Sequence, residues 1–130
     1  MILLDTHVLV WWVADPARLS ARAKREIRGA LRKGHVAASA ISLFEISTAI
    51  RRRRLLLAVP PEQWLSDIRS LPELRFEPVS AEIAEVAGSL DEVIPGDPAD
   101  RIIAATAITL DLKLVTADER LLRAPRLQAV

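Results

Sequence analysis

Four carboxylates in this sequence are placed where they could serve one cation site. They are Asp5, Glu45, Asp100 and Asp118. Carboxylate oxygens suit hard cations such as Mg²⁺. A divalent cation held by them can activate water and stabilise developing charge on a phosphate ester. The chemistry that these residue types suggest is therefore metal-dependent hydrolysis of a phosphate ester.

Helix capping offers a structural alternative for three of these acids. Ser42 and Glu45 have the spacing of a capping box, in which Glu45 would bond back to the Ser42 amide. Asp97 could cap a helix that would then hold Asp100 in its first turn, where the helix dipole favours an acid. Asp118 could cap the last helix. Taken singly, each of these acids is explained by a cap.

Asp5 fits a capping role least well. It ends the apolar run Ile2-Leu3-Leu4, which is typical of a buried strand, and an unpaired carboxylate there is costly. If all four carboxylates meet at one edge of a sheet, their repulsion must raise some pKa values or recruit a cation. No lysine or arginine is placed in all four segments to neutralise the acids. We therefore expect a divalent cation, Mg²⁺ or Mn²⁺, to neutralise them.

The composition excludes several other kinds of site. The 130 residues include no cysteine, which rules out disulfides and thiolate metal sites, and 51% are hydrophobic, which argues against disorder. His7 and His35 lack the spacing of a histidine metal site, and we interpret both as ordinary side chains. No run approaches the ~18 apolar residues of a membrane span, and the first residues do not resemble a signal peptide. We therefore expect a cytoplasmic protein.

Apolar runs and helix signals alternate along the chain. Strands are predicted at residues 2–4, 36–39, 76–79 and 112–116, with 127–130 as a candidate edge strand. Helices are predicted at 7–14, 21–33, 42–53, 61–70, 81–90 and 99–110, and a short one near 118. This alternation predicts one α/β domain over residues 1–130, in which a parallel sheet of four to five strands has helices on both faces. Sites in such folds lie beyond the carboxyl ends of the strands, where the four acids should converge.

Basic residues are concentrated in two places. Residues 18–33 contain seven of them and one acid, whereas residues 73–100 contain eight acids and one arginine. An unbroken basic run consists of Arg51, Arg52, Arg53 and Arg54. We interpret this run as a candidate contact for a polyanion such as RNA, because a polyanion could meet a basic surface beside an acidic metal site. Solvated helix faces are the alternative, and charge alone favours them.

Several segments together resemble the PIN-domain nucleases. They are Asp5-Thr6-His7-Val8-Leu9, Ser42-Leu43-Phe44-Glu45-Ile46, Asp97-Pro98-Ala99-Asp100-Arg101-Ile102-Ile103-Ala104-Ala105-Thr106-Ala107 and Val115-Thr116-Ala117-Asp118. Their order, spacing and total length match over nearly the whole chain. The most similar members are the VapC-type toxins of bacterial toxin–antitoxin pairs. His7 departs from the frequent asparagine of the family, which leaves the four acids unaffected.

The resemblance implies a metal-dependent endoribonuclease with a PIN-like three-layer fold. The acidic quartet of the family falls on Asp5, Glu45, Asp100 and Asp118, of which Asp5 and Asp100 would hold the main Mg²⁺ or Mn²⁺ most directly. Supporting groups would be Thr6, Asp97 and Thr116. Metal-activated water would attack the phosphorus of RNA in line. The resemblance also implies a homodimer and an antitoxin partner whose C-terminal segment crosses the site.

Two other functions stay open on the sequence alone. A PIN-fold protein could bind RNA or a partner without cutting, although intact acids at all four positions argue against this. A nuclease acting on DNA is disfavoured by the small size and by the lack of an added DNA-binding segment. Trp11, Trp12 and Trp64 could stack on bases, but contacts in the core or in a dimer are the favoured interpretation.

Overall fold

The computed structural model describes residues 1–94 and 96–130, in which strands and helices alternate. The strands are β1 (Ile2–Leu4), β2 (Val36–Ser39), β3 (Leu74–Glu77) and β4 (Lys113–Val115). The helices are α1 (Thr6–Ala14), α2 (Ala21–Arg32), α3 (Ala40–Arg51), α4 (Pro61–Arg69), α5 (Ala81–Ser89), α6 (Pro98–Thr109) and α7 (Glu119–Leu122), with a 3₁₀ turn at Pro16–Arg18. None of these helices has the length and apolar character that crossing a membrane requires.

The four strands form a parallel sheet in the order β3-β2-β1-β4. Leu3 of β1 lies opposite Ala37 of β2 on one side and Leu114 of β4 on the other. β1 is therefore an internal strand, and its three residues are all buried. The predicted α/β fold with a parallel sheet is confirmed.

The alternation of side chains along each strand divides the interior into two cores. Leu4, Ala38 and Val115 face one core, together with apolar side chains of α1, α2 and α4. Leu3, Ala37 and Leu114 face the other core, together with side chains of α5 and α6. Helices thus cover both faces of the sheet, as predicted, and they hold its carboxyl edge rigidly in place.

α6 is the most deeply buried helix of the described chain. The five consecutive residues Ile103–Ala107 are all buried, which fits the prediction of an apolar helix. Arg101, near its start, donates hydrogen bonds to the backbone carbonyls of Ala87, Leu90, Asp91 and Ile94. This side chain therefore ties the first turn of α6 to the end of α5 and the segment that follows it.

Three predicted elements differ from the structure. α3 begins at Ala40, because Ser39, rather than Ser42, caps it by accepting the Ile41 amide. β3 begins and ends two residues earlier than predicted, since Pro78 cannot donate to a ladder and Leu74 supplies a buried anchor. The candidate edge strand at 127–130 is reduced to a single bridge between Leu114 and Ala129.

Candidate metal centre

A cleft of about 570 Å³ lies at the carboxyl edge of the sheet. It collects side chains from the first turns of α1 and α6 and from the body of α3. Four acids line it, and they are Asp5, Glu45, Asp97 and Asp100. Position in the fold explains the convergence, because Asp5 directly follows β1 and α3 directly follows β2.

Three carboxylates in the cleft approach one another closely. Oxygen atoms of Glu45, Asp97 and Asp100 all lie within 4.8 Å of one another. The pKa of Asp100 is raised to about 6, first by burial and then by the negative charges of Asp5, Asp97, Glu45 and Asp118. The cluster therefore carries more negative charge than nearby groups compensate, which is the electrostatic condition for binding a cation.

Asp5 is the buried member of the site, with an exposed fraction of only 1%. Its Oδ1 accepts the Thr6 amide at 2.8 Å, and its Oδ2 accepts the Thr116 hydroxyl at 2.6 Å. The Nε2 of His7 lies 3.6 Å from Oδ2, and among the described residues no lysine or arginine nitrogen comes within 4.0 Å of this carboxylate. Neutral donors thus fix the orientation of Asp5 but leave its charge largely unpaired.

Glu45 is held by a chain of hydroxyls. The Thr6 hydroxyl donates to Glu45 Oε1 at 2.5 Å and also lies 2.8 Å from the Ser42 hydroxyl. Because Thr6 has one hydroxyl proton and gives it to Glu45, Ser42 must donate to Thr6. Burial raises the pKa of Glu45, the Thr6 bond opposes this rise, and the charges of Asp5 and Asp97 add to it.

The capping box that was the structural alternative for Ser42 and Glu45 is not formed. Ser39 caps α3, so Glu45 lies in the second turn rather than the first, and it reaches Thr6 instead of the Ser42 amide. Ser42 is fully buried and serves Thr6. The local cap that competed with a site role for Glu45 is therefore absent.

Asp118 stands apart from the other acids. It caps α7 through the Arg120 amide, and its carboxylate pairs with the Arg120 guanidinium at 3.1 Å. The hydrogen bond from that guanidinium, more than any other influence, lowers the pKa of Asp118. Among the described residues, Asp118 is not part of the cleft lining. Its amide donates to the Thr116 hydroxyl at 3.0 Å, which links it to Asp5 through one side chain.

Asp97 lies among the close carboxylates of the cleft, whereas the sequence predicted only a supporting role for it. It caps α6 by accepting the amides of Ala99 and Asp100, which holds its side chain beside that of Asp100. The spacing of an N-cap and the third helical residue was a signal for this proximity. His7 also lies in the cleft beside Asp5, although the sequence analysis gave it no role in the site. The signal available in the sequence was its position shortly after Asp5, at the start of α1.

Arginines line the same cleft as the acids. Arg52 and Arg54 come from the basic run after α3, and Arg18 comes from the end of the 3₁₀ turn. Arg51 and Arg53 of the same run are exposed but do not belong to the described lining. The cleft can therefore offer a polyanion both cationic side chains and a group of carboxylates.

The sequence matches the model of the PIN domain over residues 2–127. This chain belongs to the PIN domain family. Ribonuclease VapC22 of Mycobacterium tuberculosis is 41% identical to this PIN domain over 120 residues, which are 92% of the chain and 88% of that protein.

Solved structures share the fold of this PIN domain. VapBC2 from Rickettsia felis, bound to a DNA fragment from its promoter, gives a TM-score of 0.72 at 21% identity over 100% of this chain and 98% of that chain. A toxin–antitoxin complex from Klebsiella pneumoniae gives a TM-score of 0.68 at 22% identity over 100% of this chain and 96% of that chain. At these identities the likeness is one of fold.

Proposed function

We propose that this PIN domain, as one domain over residues 1–130, is a metal-dependent endoribonuclease and the toxin of a toxin–antitoxin pair. The observation that carries the proposal is the approach of Glu45, Asp97 and Asp100 within 4.8 Å, beside the buried Asp5, in a cleft that also presents arginines. The 41% identity to a protein named a ribonuclease supports RNA as the substrate.

The donor set fits Mg²⁺ or Mn²⁺. Every acidic ligand candidate supplies carboxylate oxygens, and no cysteine is present in the chain. Asp5, Glu45 and Asp100 would hold the ion, with Asp97 beside them and Asp118 available once it leaves Arg120. When bound, a divalent cation supplies a Lewis acid that activates water and stabilises charge on the scissile phosphate.

The hydroxyl groups of the site would keep the carboxylates in one arrangement. Thr116 and the Thr6 amide hold the two oxygens of Asp5, and Ser42 and Thr6 hold Glu45. These donors are neutral, so they orient the acids without cancelling the charge that attracts a cation. Orientation before binding reduces the entropic cost of assembling a site.

The arginines of the cleft would bind the RNA backbone. Arg52 and Arg54 line the cleft and make no ion pair within 4.0 Å in the described part of the chain. Guanidinium groups bind phosphate through charge-assisted hydrogen bonds. Contacts of this kind hold the strand across the acids and supply affinity without choosing a sequence.

A protein partner would cover the cleft when the enzyme is inhibited. Phe44 is 67% exposed at the cleft, and an apolar side chain in that position is suited to burial by a partner. One protein of the same fold was solved as a toxin–antitoxin complex, which supports an antitoxin as this partner. A cationic side chain of the antitoxin near the acids would compete with the metal. We also propose a homodimer in the cytoplasm, where RNA substrates are present.

Cleavage assays with RNA and DNA side by side test the function. Single-stranded RNA should be cut when Mg²⁺ or Mn²⁺ is added, and DNA of the same sequence should not. Cleavage of DNA but not of RNA would mean that the substrate is DNA. Binding of RNA without cleavage under any divalent ion would mean that the protein binds RNA and is not a nuclease. In cells, expression should arrest growth, and co-expression of the neighbouring gene should relieve the arrest.

A further inference from the structure

The three tryptophans occupy different environments. Trp64 is 8% exposed and belongs to the core beneath α4. Trp11 and Trp12 are adjacent on α1 and both half-buried against the same core. Of these three residues, Trp11 lines the cleft that contains the carboxylates, whereas Trp12 and Trp64 do not. The structure thus singles out one tryptophan for contact with whatever enters the cleft.

Trp11 is part of a cluster of three planar side chains. The Arg18 guanidinium carbon lies 4.8 Å from the centre of the Trp11 ring. The His7 ring centre lies 5.6 Å from that of Trp11, with the planes inclined by 44°. His7 and Trp11 are one helical turn apart on α1, and the chain reverses at Asp15 to bring Arg18 back over the ring.

All three side chains of this cluster face the cleft. His7, Trp11 and Arg18 all belong to the lining, and His7 adjoins Asp5. Arg18 is exposed and, in the described part of the chain, no carboxylate oxygen lies within 4.0 Å of its guanidinium. A purely structural cation–π pair would need neither the open position of Arg18 nor the extension of the cluster to the carboxylates.

We propose that His7, Trp11 and Arg18 form a subsite that stacks a nucleobase of single-stranded RNA next to the scissile phosphodiester. The inference rests on the proposed ribonuclease function and adds to it the part of the substrate that these three side chains recognise. Unpaired RNA bases stack on aromatic rings and on arginine planes, and such stacking accepts any base because every base has a π-face. Arg52 and Arg54 on the same cleft match the phosphates that accompany the base.

Binding of an RNA decamer to the Asp100→Asn protein tests the subsite without cleavage. The second probe is a decamer of the same length and charge that is abasic throughout. Trp11→Leu should weaken binding of the RNA decamer about tenfold and leave binding of the abasic decamer unchanged, because only the stacked base is lost. Trp12→Leu is the matched control, since it removes an adjacent, equally half-buried tryptophan, and it should change neither affinity.

Two further variants keep the test decisive if Trp11→Leu does not fold. Trp11→Phe retains an aromatic ring of smaller area, and Arg18→Lys keeps the positive charge of an exposed residue while removing its guanidinium plane; each should weaken binding of the RNA decamer by about threefold or more and spare the abasic one. Equal losses for both decamers, equal effects of the Trp11 and Trp12 variants, or unchanged RNA affinity would overturn the subsite. The subsite would also be overturned if these variants lost only the binding of a partner protein, because His7, Trp11 and Arg18 would then belong to the partner interface.

The same variants with Asp100 intact separate this inference from the function on which it rests. If the ribonuclease proposal fails, the unsubstituted protein does not cleave RNA with any divalent ion. If only the subsite fails, that protein cleaves RNA and Trp11→Leu cleaves it with an unchanged KM. The subsite predicts cleavage by Trp11→Leu with a KM raised about tenfold.

Discussion

The charge on single side chains determines how the site responds to protons and cations. Asp100 and Glu45 have raised pKa values because burial and neighbouring acids penalise their ionised forms. Asp118 has a lowered pKa because Arg120 stabilises its ionised form. The acids at this edge of the sheet thus divide into those whose ionised forms are disfavoured by burial and by one another, and one whose ionised form is stabilised by Arg120.

Asp100 should make the metal-free protein less stable as the pH rises. Its pKa is raised from 3.8 to about 6, so the folded state holds this proton where the unfolded chain has lost it. The stability contributed by the protonated form is therefore full below about pH 4 and is lost as the pH rises to about 6. After discounting for the half-exposed position, the loss is about 1 kcal/mol.

Urea unfolding in EDTA at about pH 4.5 and about pH 7.5 measures this loss. Asp100→Asn removes the titrating group, so its stability relative to the unsubstituted protein should increase by about 1 kcal/mol between the lower and the higher pH. Comparing the two proteins cancels the titration of the groups that do not interact with Asp100. A difference that stays constant with pH would mean that Asp100 does not carry the raised pKa.

Arg120 should compete with a metal ion for Asp118. Arg120→Gln removes the cation that pairs with this carboxylate at 3.1 Å, so the apparent affinity for Mn²⁺ should rise about twofold to fivefold. Arg123→Gln is a control, because Arg123 is also exposed on this segment but pairs with Glu119. Mn²⁺ titration by calorimetry reads both variants. Equal affinities in the two variants would place Asp118 outside the metal site.

At the scale of elements, Arg101 adds a polar tether to the apolar packing of α6 against α5. Arg101 donates to four backbone carbonyls, including that of Ala87 at 3.0 Å. Arg101→Met keeps most of the apolar stem and removes all the donors, so the free energy of unfolding should fall by about 2 kcal/mol. Arg69→Met, at an exposed helix end, should change it by less than about 0.5 kcal/mol. Chemical denaturation that gave equal values would refute the tether.

The elements themselves were largely predictable from local patterns. β1 and β2 have the predicted bounds, and the buried α6 follows from its nearly uniform apolar character. The N-terminus of α3 was not predictable, since Ser39 and Ser42 are both good caps and the choice depends on Thr6, which is distant in sequence.

The site was predictable only in the features that follow from the order of the elements. Topology places Asp5 and the start of α3 at one edge of the sheet, and that placement follows from the order of elements. The pairing of Asp118 with Arg120 and the hydroxyl chain to Glu45 depend on side-chain rotamers. Sequence spacing does not encode rotamers, so these two features needed the structure.

At the scale of the whole molecule, the net charge of +1 conceals the presence of both charges in one cleft. Arginines and carboxylates line it together, so neutralising the acids with cations would favour the entry of a polyanion. RNA affinity should therefore depend both on divalent ions and on the arginines that face the cleft.

Salt dependence separates the arginines that face the cleft from those that do not. Replacing Arg52 and Arg54 together with glutamine should weaken RNA binding and reduce the slope of log K against log salt by about 1.4, which is the value for two contacts with a single strand. The matched double variant at Arg51 and Arg53 has the same change in charge and should leave the slope nearly unaltered. Equal slopes for the two double variants would show that the run acts only as a diffuse charge.

The most direct test of the carboxylate site is the rate of RNA cleavage as free Mn²⁺ is varied. EDTA should abolish cleavage and Mn²⁺ should restore it, while Glu45→Gln and Asp100→Asn should lower the rate at least about 100-fold at saturating ion. Glu62→Gln, which neutralises an exposed acid of α4, should match the unsubstituted protein. Cleavage that survives complete chelation, or full activity in Glu45→Gln and Asp100→Asn, would contradict a metal site formed by these carboxylates.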